Sequence, residues 1–201
     1  MRNLKTYKIA VYALFIALLA LITFTPIGYI PVGPIKATII HLPVILMGLI
    51  FGKKDGLIAG ALFGLSSMLA STFTPGILSF CFSPFVSVAG IGGNWMSLLI
   101  AFVPRMLFGF LGGVIGDLDC GKVKRAIMVV CNTLLHSVNV LGLIYICFKD
   151  AYASALGMNI NGVLIALLTT FCTQSVVEAI LAFLFTVMIY PLVVKVKQKI
   201  K

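Results

Sequence analysis

Residues 28–65 read GYIPVGPIKATIIHLPVILMGLIFGKKDGLIAGALFGL. A breaker-rich entry (Pro31, Gly33, Pro34) carries one cation, Lys36, and one imidazole, His41, into a short apolar run. A second apolar run follows GKKDG (52–56), which reads as a tight turn with a glycine at each end. Two apolar segments joined by a basic turn have the pattern of a helical hairpin crossing a bilayer and returning.

The rest of the chain agrees. Its 201 residues are 61% hydrophobic and 10% charged, with a mean hydropathy of +1.18. Soluble domains carry about 25% charged residues. The composition therefore predicts an all-α integral membrane protein, one domain over residues 1–201. Six helices are read: Tyr7 to Thr25, Ala37 to Phe51, Gly56 to Ser71, Trp95 to Ile115, Arg125 to Phe148 and Gly162 to Val194. A full span needs about 20 apolar residues, so the second and third are short. The first apolar segment lacks a small-residue cleavage site and reads as a retained span.

Charge sets the orientation. Twelve of the fifteen Lys and Arg fall at the termini or in the connections on the same side of a six-span bundle. The opposite loops hold Lys36 and Lys149, and Arg105 falls within a span. The positive-inside rule places both termini in the cytoplasm, at the cell membrane. The net charge of +10 thus reflects orientation, not nucleic-acid binding. Outer connections are long: 26–36, 149–161 and the uncharged stretch 71–95. Non-helical apolar backbone cannot face lipid, so 71–95 reads as a lid over the bundle. The five cysteines form no CxxC pair and read as small core residues.

Ionisable residues inside spans are costly and face a cavity or a partner. Arg105, His136 and Glu178 meet that description. Asn132, His136 and Asn139 share one helix face, as do Gln174 and Glu178. Together with Asn94 and Trp95 at the start of the fourth helix, they outline a small polar pocket open outward. The competing reading is an Arg105–Glu178 pair with the amides as interhelical glue. Lys36 and His41 are either interfacial anchors or substrate contacts. No HExxH, GxSxG or Walker A sequence occurs, so no catalytic residue, metal site or cofactor is expected. An intramembrane metalloenzyme would need His41, His136 and Glu178 together, from three helices. A self-contained secondary transporter would be expected to show an internal repeat, and none is evident. Gly109, Gly112, Gly113 and Gly116 have spacing suited to helix packing. On the first helix, Ala10, Ala13, Ala17 and Ala20 draw a stripe of small side chains that allows close approach of another helix.

At this point the chain resembles the substrate-binding S components of energy-coupling factor (ECF) vitamin transporters. The resemblance covers nearly the whole chain. It rests on size, six spans, Ala13-x-x-x-Ala17, the 28–65 segment with its LxFGKKxGxxxGxxFG turn, and VPRMLFGFLGGVIG (103–116). It implies a high-affinity vitamin-binding subunit that docks through the alanine face onto a transmembrane T component driven by two cytoplasmic ATPases. It also implies that the first outer loop closes over the substrate with the 71–95 loop. The sequence looks most like the branch that includes pantothenate S components. A carboxylate suits the planar fork of Arg105. Riboflavin is the alternative, with Phe80, Phe82, Phe85 and Trp95 as stacking surfaces.

Overall fold

The computed structural model describes residues 4–25, 29–32, 35–88 and 90–200, and the side chains of 6–25, 39–88 and 90–198. Helix α1 (Leu4–Phe24) leads to an antiparallel hairpin, β1 (Tyr29–Val32) and β2 (Ile35–Thr38), then α2 (His41–Phe51) and α3 (Lys53–Phe73). A 3-10 turn (Ser79–Cys81) and a second small hairpin, β3 (Ser87–Val88) and β4 (Ile91–Gly92), precede α4 (Trp95–Asp117). Helix α5 (Lys122–Leu156) is followed by α6 (Ile160–Thr170), a π-helical segment (Phe171–Ser175) and α7 (Val176–Ile200).

Five helical stretches are long and apolar enough to cross a membrane, and α2 is a shorter apolar helix. The stretch from Ile160 to Gln198 is one such span, with the π segment inside it. The protein is therefore a multi-pass helical membrane protein. Large apolar side chains such as Leu14, Ile146, Ile165 and Met188 are exposed, as lipid-facing surface should be.

Four sequence expectations are corrected. The second helix starts at His41, because Ala37 and Thr38 belong to β2, paired with Ile30 and Tyr29. Tyr, Val, Ile and Thr in this segment favour a pleated strand over a helical turn. The GKKDG turn shrinks to Gly52, whose φ of 90° only glycine adopts readily; α3 begins at the next residue. The fifth helix breaks at Phe148, where its end was expected, but the segment beyond it is helical and not a long loop. Phe148 is a kink (φ −135°, ψ 15°), and the helix resumes to Leu156. The 149–161 loop is thus reduced to a turn through Gly157, with Asn159 accepting from the Gly162 amide at 2.7 Å. The part of α5 before the kink, Lys122 to Cys147, is about 39 Å long, enough to cross a hydrocarbon core of about 30 Å. Finally, of the cysteines only Cys81 is fully buried; Cys131 and Cys172 are exposed.

Helices α2, α3 and α4 form the tightest part of the bundle. Gly56 and Gly60 on α3 lie against the backbone of Gly109 and Arg105 on α4, where an added Cβ would fall within 3.0 Å of a carbonyl oxygen. Gly48 and Gly113 continue the contact onto α2. Small residues let the backbones meet, which is how helices associate where lipid removes the hydrophobic drive. The packing role expected of Gly109, Gly113 and Gly116 holds; Gly112 has nothing within 4 Å of its would-be Cβ.

At the end that carries the chain termini, Asp55 accepts from Tyr12 Oη (2.7 Å) and pairs with Lys8 Nζ (2.6 Å). Lys197 donates to the Gly116 carbonyl and lies 3.6 Å from Asp117. Arg125 donates to the Leu118 carbonyl at 2.8 Å.

Candidate functional site

The cavity lies toward the other end of the bundle, between two apolar clusters, one containing Phe63 and Phe108, the other Leu78, Phe80 and Ile144. Its non-atom space is about 860 Å³, including the open mouth. Its walls come from the second half of α3, the first half of α4, α5 and the π segment, with Leu78, Ser79 and Phe82 of the α3–α4 loop as cover.

Arg105 is placed by its neighbour. Pro104 lies inside α4 and has no amide hydrogen, so the Ile100 carbonyl, four residues back, loses its helical donor. Arg105 Nη1 supplies one at 2.8 Å and also reaches the Ala101 carbonyl at 3.1 Å. The guanidinium carbon is 5.2 Å from the ring centroids of both Phe63 and Phe82, within cation–π range. A 6% exposed cation is thus held at the cavity wall by carbonyls and aromatic faces.

Another part of the wall is built by the π segment. One extra residue in a turn leaves carbonyls without regular donors. Thr173 Oγ1 reaches the Thr169 and Thr170 carbonyls there (2.8 and 3.4 Å), and Thr170 Oγ1 reaches Ala166 at 2.8 Å. The bulge brings Thr170, Gln174, Ser175 and, one turn on, Glu178 to the cavity. Gln174 Nε2 donates to Glu178 Oε1 at 3.3 Å. His136 completes the ring, against Phe108 (5.0 Å between centroids) and Phe63 (6.0 Å), its Nε2 without a hydrogen-bond partner among the described residues.

Of the residues singled out in the sequence, Arg105, His136, Gln174 and Glu178 meet at this cavity. The others stand elsewhere. Asn132 bridges α5 to α4, donating to the Phe108 carbonyl at 3.0 Å. Asn139 is half-buried on α5 and does not line the cavity. His41 is buried at the start of α2, edge-on to Phe108 at 6.5 Å. Asn94 caps α4: its Oδ1 accepts from the Met96 amide (2.8 Å), and Ser97 Oγ accepts from the Asn94 amide (3.0 Å). Trp95 is 82% exposed, as in an interfacial aromatic belt. Lys36 lies on β2, and its side chain is outside the described residues. Of the proposed stacking aromatics, Phe82 lines the cavity; Phe80 is buried against Phe148, and Phe85 and Trp95 are exposed.

The sequence reading missed the hydroxyls of Ser67, Ser71, Ser79, Ser137, Thr170 and Ser175, which supply much of the polar wall. The first half of the α3–α4 loop is packed firmly. Ser97 Oγ donates to the Phe80 carbonyl (2.6 Å), Ser83 and Thr72 share a hydrogen bond (2.7 Å), and Cys81 is fully buried. That burial pushes the Cys81 thiol pKa up, so it stays protonated. On α1, Ala10, Ala13, Ala17 and Ala20 are all exposed, whereas Phe15, Leu19 and Ile22 face the bundle.

Comparison with known proteins gives this geometry a setting. The chain is 31% identical over 201 residues to the pantothenic acid transporter PanT of Lactococcus lactis subsp. cremoris, an alignment covering 98% of each protein. It is 28% identical over 119 residues to the pantothenate transporter PanT of Leuconostoc mesenteroides subsp. mesenteroides, covering 57% of this chain and 52% of that protein. The family model described as "ECF transporter, substrate-specific component" matches residues 7–190, and the chain belongs to that family.

Proposed function

We propose that this chain is the pantothenate-binding S component of an ECF transporter, one domain over residues 1–201 with six spans when α2 is counted. The observation that carries the reading is a buried arginine at a cavity within apolar helices, whose lining also includes amide, carboxylate and hydroxyl groups. Pantothenate has a carboxylate for Arg105, and hydroxyls and an amide for Gln174, Glu178 and the serines. The names of both PanT relatives support that substrate. Lys36, His41, Asn94, Trp95, Asn132 and Asn139 act around this centre as rim, cap or support.

The cavity faces outward and the termini are cytoplasmic, in keeping with the basic residues at the terminal end. The α3–α4 loop is the lid. Its buried first half acts as a fixed cover, and the exposed segment around Phe85 and β3–β4 is the part free to move. The exposed alanine stripe of α1 docks onto the T component, which two ATPases drive. The chain itself performs no chemistry.

A thermal-shift panel of purified protein tests the substrate: pantothenate, riboflavin, biotin, thiamine and folate. A ligand at 100-fold excess over Kd stabilises the folded state by about 2.7 kcal/mol. Pantothenate should give the largest shift. A larger shift with another vitamin would overturn the substrate, and no shift with any of them would overturn the vitamin-binding reading.

A further inference from the structure

Helix α1 is the least embedded of the long helices: 22% of its most apolar stretch is buried, against 28% to 50% for the other four. Polar contacts at two points join it to α3. Near the termini, Asp55 on α3 accepts from Tyr12 Oη at 2.7 Å and pairs with Lys8 Nζ at 2.6 Å. Farther along, Thr23 Oγ1 and Ser66 Oγ share a hydrogen bond at 2.6 Å. Tyr12–Asp55 and Thr23–Ser66 have the same sequence offset, 43 residues. The helices therefore run parallel in constant register. The contacts are eleven residues apart on each helix, which is about three full turns at about 100° per residue. Both fall on one face of α1 and one face of α3. Two hydrogen-bonded points on one line fix both the rotation and the slide of a helix, which apolar packing alone, being non-directional, does poorly.

Asp55 sits on a rigid base. Its neighbour Gly56 lies against the backbone of Gly109, where a Cβ would not fit. On α1 the exposed alanines are centred roughly 120° around the helix from Tyr12 and Thr23. The contacts to α3 thus set the direction in which the alanine face points without being part of it.

We infer that Asp55 is a positioning residue for docking, holding α1 through Tyr12 and Lys8 at the rotation that presents the alanine face to the transmembrane partner. This rests on the reading of that face as the docking surface. Co-expression with the T component and both ATPases, with complex affinity measured in nanodiscs beside pantothenate affinity, tests it. Asp55→Asn and Tyr12→Phe should each weaken the complex, Asp55→Asn by about tenfold, with vitamin affinity within about twofold of the parent. The exchange Lys8→Asp with Asp55→Lys should restore most of the complex, which a variant merely damaged at Asp55 would not do. Ala17→Trp serves as control. If Ala17→Trp abolishes the complex while Asp55→Asn binds like the parent, the inference about Asp55 is overturned and the docking face stands. If Asp55→Asn weakens the complex and the charge exchange restores nothing, the Lys8 pairing is overturned. If Ala17→Trp also assembles normally, the docking reading falls, and the inference with it.

Discussion

A single methyl group added at Gly60 tests how the bundle and the site depend on each other. An alanine Cβ at this position would come within 3.0 Å of the Arg105 carbonyl oxygen and carbon and of Met106 Cα, all backbone atoms. No rotamer change can relieve such a contact, so α3 and α4 must separate. Overpacking costs about 1–3 kcal/mol, and replacing glycine by alanine in a helix returns about 1 kcal/mol. The backbone character of the clash places the cost in the upper part of that range, for a net loss of about 1–2 kcal/mol. Gly112, on the same helix pair but with nothing within 4 Å, supplies the control. Gly112→Ala should keep the propensity gain and be neutral or stabilised by up to about 1 kcal/mol. The two variants should therefore differ by about 1–3 kcal/mol in an SDS unfolding titration followed by circular dichroism. Gly60→Ala should also bind pantothenate at least about tenfold more weakly, because the displaced backbone carries the Arg105 side chain with it. Equal stability of the two variants, with parental vitamin affinity in Gly60→Ala, would refute both the close α3–α4 contact and its role in setting the site.

Pro104→Ala restores an amide to the Ile100 carbonyl and so competes with Arg105 Nη1; stability should hold or rise while vitamin affinity falls at least about threefold, and unchanged affinity would show that this carbonyl does not hold the guanidinium in place. Hydrogen exchange with and without pantothenate should find residues 78–83 protected in both states and 85–93 protected by the vitamin; equal exchange at 85–93 would remove the lid role. Ala13→Trp should bind pantothenate like the parent yet fail to co-purify with the T component and ATPases, whereas normal co-purification would move the docking surface elsewhere.

Much of this was legible in the sequence where the physics is expensive. Arg105 and Glu178 announced themselves because a charge in an apolar run needs a reason, and both meet at the cavity. The long helices followed from apolar length, and the alignment of α1's alanines on one face from spacing, though their exposure did not. What escaped was cheap or ambiguous in one dimension. Asn94 before Trp95 reads as a pocket amide, and the structure makes it a helix cap. Asn132 reads as a ligand or as glue, and it bridges to the Phe108 carbonyl. The hairpin at 29–38 was hidden because β-branched residues are common in membrane helices too. Serine and threonine lining the cavity carried no signal, since helical hydroxyls usually satisfy themselves on their own backbone, as Ser137 does with Thr133. The Gly56–Gly60–Gly64 ladder was visible as a spacing, but its partner strip on α4 became evident only in three dimensions. The π segment has no sequence signature at all.

In the proposed function, Arg105 holds the carboxylate of an anionic vitamin. Isothermal titration of pantothenate into the purified protein, Arg105→Lys and Arg105→Ala tests it most directly. Losing a charge-assisted hydrogen bond costs about 1.5–3 kcal/mol, or roughly 10- to 150-fold in Kd. The parent should bind tightly, Arg105→Ala should lose affinity by that factor, and Arg105→Lys should recover part of it, since its ammonium keeps the charge but not the planar fork. Pantothenate affinity unchanged by Arg105→Ala, or no pantothenate binding to the parent protein, would contradict it.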